Sequence, residues 1–326
     1  ISSAASDVYK RQCRAWAHRM PSPRSMLAKV QAIVSPLLPE LHKGQAGRVG
    51  VLGGCREYTG APYYASMSSM RLGCDMSFTI CAPEAAQAIK GYSPDLIVHP
   101  ALDASKSMEE VREELKALFA RLHSVVIGPG LGRDASMQSF ARVAIEVARE
   151  ANLYSVIDAD GLWLVQNAPA VVQGYRRAIL TPNVVEFGRL CRAMRIDAGE
   201  HAAKELSVAL GGLTILEKGR TDRIATPRGV VECDLEGGLK RCGGQGDLLS
   251  GTLGTFLAWA KRFEERKAQG ETLPDFDLDE LPMLAAYGAS CVTRTASRRG
   301  FARLGRSMLA NDLLSEIGPA YGDLFV

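Results

Sequence analysis

The chain has 326 residues, 47% of them hydrophobic and 23% charged, the ordinary mixture of a soluble globular protein. Its 32 glycines follow no three-residue period, which excludes collagen, and aromatics at 6% are too few for a platform that stacks single-stranded nucleic acid. A formal charge of +3 is too small for a binder of phosphate backbones. No apolar run approaches the roughly 18 residues that a membrane helix needs.

The charge is unevenly placed. Residues 1–30 hold six basic side chains (Lys10, Arg11, Arg14, Arg19, Arg24, Lys29) against one acid, Asp7, so the remainder is close to neutral. ISSAASDVYKRQ has no apolar period and resembles translated cloning or adapter sequence. Cys13 to Lys29 is Arg/Ser-rich and free of acids. Two readings stay open for it: an organelle transit peptide, or translated upstream sequence with Met20 or Met26 as the start. Residues 1–27 are therefore expected to be a disordered leader, and 28–326 a single domain. The eight cysteines (Cys13, Cys55, Cys74, Cys81, Cys191, Cys233, Cys242, Cys291) form no C-x-x-C pair and have no His spacing suited to zinc. They read as reduced, mostly buried thiols of an intracellular protein. The compartment expected is the cytoplasm, or the mitochondrion or another organelle if the basic leader is a transit peptide.

Strand-like apolar runs alternate with helix-period segments from residue 48 onward. RVGVLGG (48–54) reads as a buried strand ending in glycines, followed by a small-residue helix over 61–72. MSFTIC (76–81), a helix near 83–90 and LIVH (96–99) come next. Met108–Leu122 places apolar residues at 108, 111, 115, 118, 119 and 122, the spacing of an amphipathic helix. SVVIGPG (124–130), a helix over 135–150, LYSVIDAD (153–160), a short helix at 161–167 and AILTPN (178–183) continue the alternation. Helices near 184–194 and 199–210 lead to LTILEKG (213–219), then to a hairpin of strands 223–226 and 229–233 across Pro227-Arg228-Gly229. A helix over 248–261, a charged surface loop over 262–280 and helices near 281–298 and 311–317 close the chain. Such alternation implies a mostly parallel sheet covered by helices on both faces. Ligands in such sheets bind outside the carboxyl ends of the strands, where the glycine and acid clusters of this chain fall.

Among those clusters, Cys242-Gly243-Gly244-Gln245-Gly246-Asp247 puts three glycines in four residues before an apolar helix. Exposed amides at a helix start suit a phosphate, and Asp247 could take a proton from a substrate hydroxyl. The same residues could equally be a glycine turn whose acid complements the helix dipole, and in either case Asp247 is expected to stay ionised at neutral pH. Lys218-Gly219-Arg220-Thr221-Asp222 follows a strand; its lysine can meet nucleotide phosphates, although a charged β-turn explains it on local grounds. Thr181-Pro182-Asn183-Val184-Val185-Glu186 has a capping-box pattern, with the alternative that Glu186 orders water around a phosphate-held Mg²⁺. Gly128-Pro129-Gly130-Leu131-Gly132 lets backbone approach a bulky ligand or makes a tight turn. Asp158 and Asp160 end a strand, and Asp160 could simply cap the next helix. Gly53-Gly54 lacks the full G-x-G-x-x-G fingerprint, which weakens a nicotinamide-dependent dehydrogenase.

Taken in order, VGVLGG…YTGAPYYA, VVIGPGLGRD, VIDADGL, LTPNVVEF, EKGRTD and GGQGDLLSG resemble the ATP-dependent (S)-NAD(P)H-hydrate dehydratases of eukaryotes, over roughly residues 28–322. The resemblance implies a ribokinase-like three-layer α/β/α fold with a central, mostly parallel sheet. It implies a nicotinamide repair reaction in which ATP, with Mg²⁺, phosphorylates the hydroxyl of hydrated NADH or NADPH and loss of phosphate restores the ring. By motif, Lys218, Gly219, Arg220, Thr221 and Asp222 line the ATP site together with Gly237, Gly238, Leu239, Lys240, Arg241, Cys242, Gly243, Gly244, Gln245 and Gly246. Gly132, Asn183, Val184, Val185, Glu186, Phe187, Gly188, Arg189 and Asp247 face the hydrated cofactor. Asp247 is then the base, with the Gly244 and Gly246 amides beside the transferring phosphoryl group. Gln245 departs from many bacterial relatives, which carry Thr there, commonly prefer ADP and are often fused to an epimerase. A separate epimerase acting on the R form is therefore implied, with neither nucleic acid nor membrane as partner. The rival readings are a hydroxyl kinase of the same superfamily and a non-catalytic nucleotide-binding protein.

Overall fold

A computed structural model describes residues 23–277 and 280–326. Among these residues nine strands form one sheet, in the order β3-β2-β1-β4-β5-β6-β7-β8-β9. The strands are β1 (Arg48–Leu52), β2 (Met76–Ile80), β3 (Ile97–His99), β4 (Ser124–Ile127), β5 (Tyr154–Ile157), β6 (Ala178–Leu180), β7 (Thr214–Glu217), β8 (Asp222–Thr226) and β9 (Gly229–Cys233). Pairings from β3 through β7 are parallel, while β7-β8 and β8-β9 are antiparallel, so the expected hairpin forms one edge of the expected parallel sheet.

Alternation decides which helices lie where. Successive strand residues point to opposite faces, and here both faces are apolar. Val49, Val126, Val156, Ile179 and Leu216 belong to one core, whereas Leu52, Ile127, Ile157, Leu180 and Ile215 belong to the other. The second face is covered by α4 (Met108–Phe119), α5 (Ala135–Glu150), α6 (Asp160–Asn167), α7 (Val184–Ala193) and α8 (Ala202–Ala209). The first carries α1 (Pro23–Ile33), α2 (Gly60–Leu72), α3 (Pro83–Tyr92), α9 (Gln245–Ala268), α10 (Leu281–Leu304), α11 (Ala310–Leu314) and α12 (Ile317–Phe325). This is the three-layer α/β/α arrangement expected. Glycines let α9 approach closely. A Cβ on Gly251 would lie 2.0 Å from Ala65 O of α2, and one on Gly254 would crowd Val49 and Val126 of the sheet.

Four expectations need correction. Residues 23–27, assigned to the leader, start α1, whose Met26, Val30 and Ile33 are buried; residues 1–22 lie outside the described residues. The helix expected to end at Lys261 runs to Ala268. There the apolar period thins, but Phe263 is buried and Arg262 pairs with Glu265 at 2.5 Å, so good helix formers carry it on. The next helix extends to Leu304, held beyond residue 298 by Arg299 and Arg303 on the Glu316 carboxylate. A final helix, α12, was not expected beyond residue 317.

Candidate functional site

The topology has one switch point, where β2 leaves β1 on one side and β4 pairs with it on the other. The two strand ends meet so tightly that a Cβ on Gly53 would lie 2.0 Å from Pro129 O. One strand further on, Gly128 (φ +126) abuts the Asp158 carbonyl, where a Cβ would sit 1.8 Å away. Ala159, next in line, takes φ +47, ψ −117, a conformation that L residues avoid. The carboxyl ends of β4 and β5 are therefore locked by backbone contact.

Two residues on, Asp160 accepts the Gly132 N–H at 3.0 Å and Arg133 Nε at 2.9 Å. It does not cap α6; it fastens the glycine loop after β4. Gly132, expected to face the hydrated cofactor, thus has its amide engaged by Asp160.

At the start of α9, Gly244 is left-handed (φ +94), and a Cβ there would lie 2.6 Å from that of Ala310 and 3.2 Å from the Tyr64 ring. Only glycine makes this turn without strain. The Gly246 and Asp247 amides fall in the first helical turn, where no intrahelical acceptor exists. Asp247 gives up its proton less readily than the helix dipole alone would suggest. Burial, reinforced by the negative charges of Asp158 and Asp160, pushes its carboxyl up to about 7, against a smaller opposing pull from Lys218.

Lys218, at the end of β7, donates Nζ to Asp158 Oδ1 at 2.9 Å. Burial alone would depress its ammonium, but Asp158 outweighs that and holds it above the ordinary lysine value. Its backbone N–H donates to Pro182 O at 2.8 Å, which joins the β7 end to the Asn183 turn. Asp222 lies beneath the Lys218–Gly219 turn: it accepts the Gly219 N–H at 3.0 Å and the Ser290 hydroxyl, and pairs with Arg294 at 3.0 Å.

A cavity of about 580 Å³ opens between these parts. Lys218, Gly219, Arg220 and Asp222 line it from one side, and Gly237, Arg241, Cys242, Gln245 and Gly246 from the other. The two segments assigned to ATP are thus brought together. Thr221, Gly238, Leu239, Lys240, Gly243 and Gly244 are not in its lining. Gly238 donates its N–H to Ser297 Oγ at 3.2 Å, and Leu239 is 83% exposed. The sequence reading missed the wall that α10 supplies, Thr293, Arg294 and Ser297. Arg294 ties the first segment to the chain just before the second, donating to Gly219 O at 3.2 Å and to Leu235 O at 2.5 Å. A polar stripe at 290, 293, 294 and 297, following two apolar turns over 281–289, was the available signal.

The residues assigned to the hydrated cofactor divide. Asn183 lines the cavity and also makes the capping box: its Oδ1 accepts the Val185 and Glu186 amides at 3.0 Å, and Glu186 Oε2 accepts the Asn183 N–H at 2.8 Å. Val184 and Val185 are exposed beside it. Glu186 and Arg189 face a small recess on the other side, shared with Arg133 and Trp163. Phe187 packs on the second core and Gly188 is half-buried; neither lines the cavity.

For a magnesium ion the donor set is sparse. No three His, Cys, Asp or Glu side chains gather into a metal cage among the described residues, and one Glu186 oxygen is spent on its cap. Such a donor set suits a cation carried in on phosphates better than one caged by protein. Of the seven described cysteines six are buried and Cys242 is half-buried, all unbridged, as expected of reduced thiols. No helix among the described residues is long and apolar enough to cross a membrane.

A mostly parallel sheet sheathed on both faces, with a glycine-built helix start and a half-buried acid at its carboxyl edge, is the ribokinase-like fold expected. A family model described as NAD(P)H-hydrate dehydratase matches residues 49–319, and the chain belongs to that family. The ATP-dependent (S)-NAD(P)H-hydrate dehydratase of Mycosarcoma maydis is 54% identical over 314 residues, spanning 93% of this chain and 89% of its own length. The protein of that name from Bos taurus is 45% identical, spanning 95% of this chain and 92% of its own. Among solved structures, the ADP/ATP-dependent NAD(P)H-hydrate dehydratase of Bacillus subtilis, co-crystallised with ATP/Mg²⁺, has a TM-score of 0.65 at 20% identity, covering 91% of this chain and 97% of that one. A Streptococcus mutans protein of unassigned function reaches 0.72 at 19%, covering 92% of this chain and 99% of its own. These two likenesses concern the fold.

Proposed function

We propose that the chain performs ATP-dependent dehydration of the S form of hydrated NADH or NADPH, releasing ADP and phosphate. Beyond family membership, the observation that carries this is the cavity in which Lys218, Gly219, Arg220 and Asp222 meet Gly237, Arg241, Cys242, Gln245 and Gly246 at the start of α9; Asp247 follows Gly246 in the same helical turn but is not itself in the lining. Asp247 takes the proton of the ring hydroxyl as that oxygen attacks the γ-phosphorus. The Gly244 and Gly246 amides, with the positive end of α9, hold the charge that develops on the transferring phosphoryl group. Lys218, Arg220 and Arg241 offset the nucleotide's phosphates. Mg²⁺ arriving with the nucleotide would neutralise phosphate charge, Glu186 meeting it through water. In the second half the C–O bond breaks with its electron pair leaving on phosphate; the neighbouring ring carbon loses a proton and the ring double bond returns.

Gly132, Asn183, Val184, Val185, Phe187, Gly188 and Arg189 bound the space for the hydrated dinucleotide in this reading. A separate epimerase supplies the S form from the R form. Incubation with (S)-hydrated NADH, ATP and Mg²⁺ tests the proposal: dihydronicotinamide absorbance should rise as phosphate is released. A product that keeps its phosphate would instead mark a hydroxyl kinase, and ATP binding without turnover a binding protein.

A further inference from the structure

Lys218 and Asp158 stand outside the helix that carries Asp247, at the carboxyl ends of β7 and β5. Their ion pair, 2.9 Å from Nζ to Oδ1, is oriented: Lys218 lines the cavity, whereas Asp158 lies behind it at 2% exposure. Gly246 closes over the ammonium, since a Cβ there would sit 3.6 Å from Nζ. The charged and titratable groups facing Asp247 are Asp158, Lys218, Asp160 on α6 and Tyr64 on α2, while Glu186 on α7 faces Lys218. A single ammonium therefore serves several carboxylates. The backbone that presents Asp158 is fixed by the Gly128 contact and the left-handed Ala159.

We propose that Asp158 is a positioning residue for the reaction: its ion pair anchors Lys218 beneath the start of α9 and keeps the ammonium from closing on Asp247. The inference rests on the reading of Asp247 as the base. An unanchored lysine, a mobile point charge on a four-carbon stem, would extend to Asp247 itself. That contact would hold the carboxylate ionised and weaken it as a base. With Asp158 engaging the ammonium, Asp247 keeps a like charge behind it and only a shared cation in front. Its carboxyl, at about 7, is then matched to work near neutral pH.

The test is the acidic limb of kcat/KM against pH, which reports the base in the free enzyme. (S)-hydrated NADH is the substrate, so that no 2′-phosphate titrates. Asp158→Asn should move the limb down by about one pH unit and Lys218→Met should move it up by about as much. Asp158→Glu, which keeps the anchor, should leave it near the wild-type position. A pair with only a structural role would lower activity in all variants and leave the limb in place. That result, or movement of both variants in one direction, overturns the proposal. Should a variant lack turnover, infrared titration of the Asp247 carboxyl, taken as the difference from the matching Asp247→Asn protein, reads the same shift without substrate. Should Asp158→Asn fail to fold, Lys218→Met decides alone. Wild-type protein that restores no dihydronicotinamide refutes the functional reading, whereas wild-type turnover with an unmoved limb refutes this proposal only.

Discussion

Asp247→Asn separates a catalytic acid from a helix-complementing one by the sign of its effect on stability. The folded carboxyl titrates at about 7, against an ordinary value of 3.8. Between those values the folded state holds a proton that the unfolded chain has released, so stability falls as pH rises through the window from about 4 to 7. At about 1.4 kcal/mol for each tenfold in proton affinity, the whole cost is at most about 4 kcal/mol; the solvent that still reaches this side chain reduces it to about 1–2 kcal/mol. Asparagine does not titrate. The variant should therefore melt a few degrees above wild type at pH 8, at roughly 2–4 °C per kcal/mol for a domain approaching this size, with the gap closing near pH 4. In the same preparation kcat should fall by at least ~100-fold, since a carboxylate base is worth about 10²–10⁴. Calorimetry at the two pH values and a turnover assay give both numbers. An exposed acid that merely complements the dipole predicts the reverse: a loss of about 0.3–1 kcal/mol at pH 8 and a nearly intact rate. A variant less stable than wild type at pH 8, or one keeping more than about a tenth of kcat, about 1.4 kcal/mol of barrier, would refute the reasoning.

ATP should support faster initial rates than ADP at equal concentration, because the chain resembles the eukaryotic branch; a clear ADP preference would remove that assignment. Gly244→Ala should cost about 1–3 kcal/mol in a urea melt and also slow turnover, since the new methyl meets Ala310 at 2.6 Å on a left-handed backbone. An unchanged melting midpoint would mean that the turn has room to relax. Met26→Ala should lose about 2–5 kcal/mol if α1 packs as described, whereas a residue of a dispensable leader would lose nothing.

Most of the scaffold was readable because its signals are local. β1, β4 and β5 announce themselves as short apolar runs closed by glycine or aspartate, and the turn before α9 as glycines followed by an acid. Asp158 was visible as a strand end, but its partner lies 60 residues away in sequence, and no local pattern shows that Lys218 turns toward it. The proton affinity of Asp247 was misjudged for the same reason. The helix dipole can be read from the next ten residues; burial and two neighbouring carboxylates come from the end of β5 and the start of α6, about 90 residues earlier. α1 was misread although its period was present. Met26, Val30 and Ile33 fall at i, i+4 and i+7, yet a basic, acid-free composition was given more weight than the spacing.

The joint at Ala159 bears on what this protein can gain by mutation. Glycine accepts φ +47 and ψ −117 where alanine is strained by about 1–3 kcal/mol, so Ala159→Gly is a direct route to a more heat-resistant chain. The same change would loosen the peptide that aims Asp158. A lineage driven only toward durability would be drawn to glycine here, and one held to turnover at neutral pH would keep a side chain and tolerate the strain. The strained residue therefore marks where thermal endurance and acid–base tuning make opposite demands on a single codon.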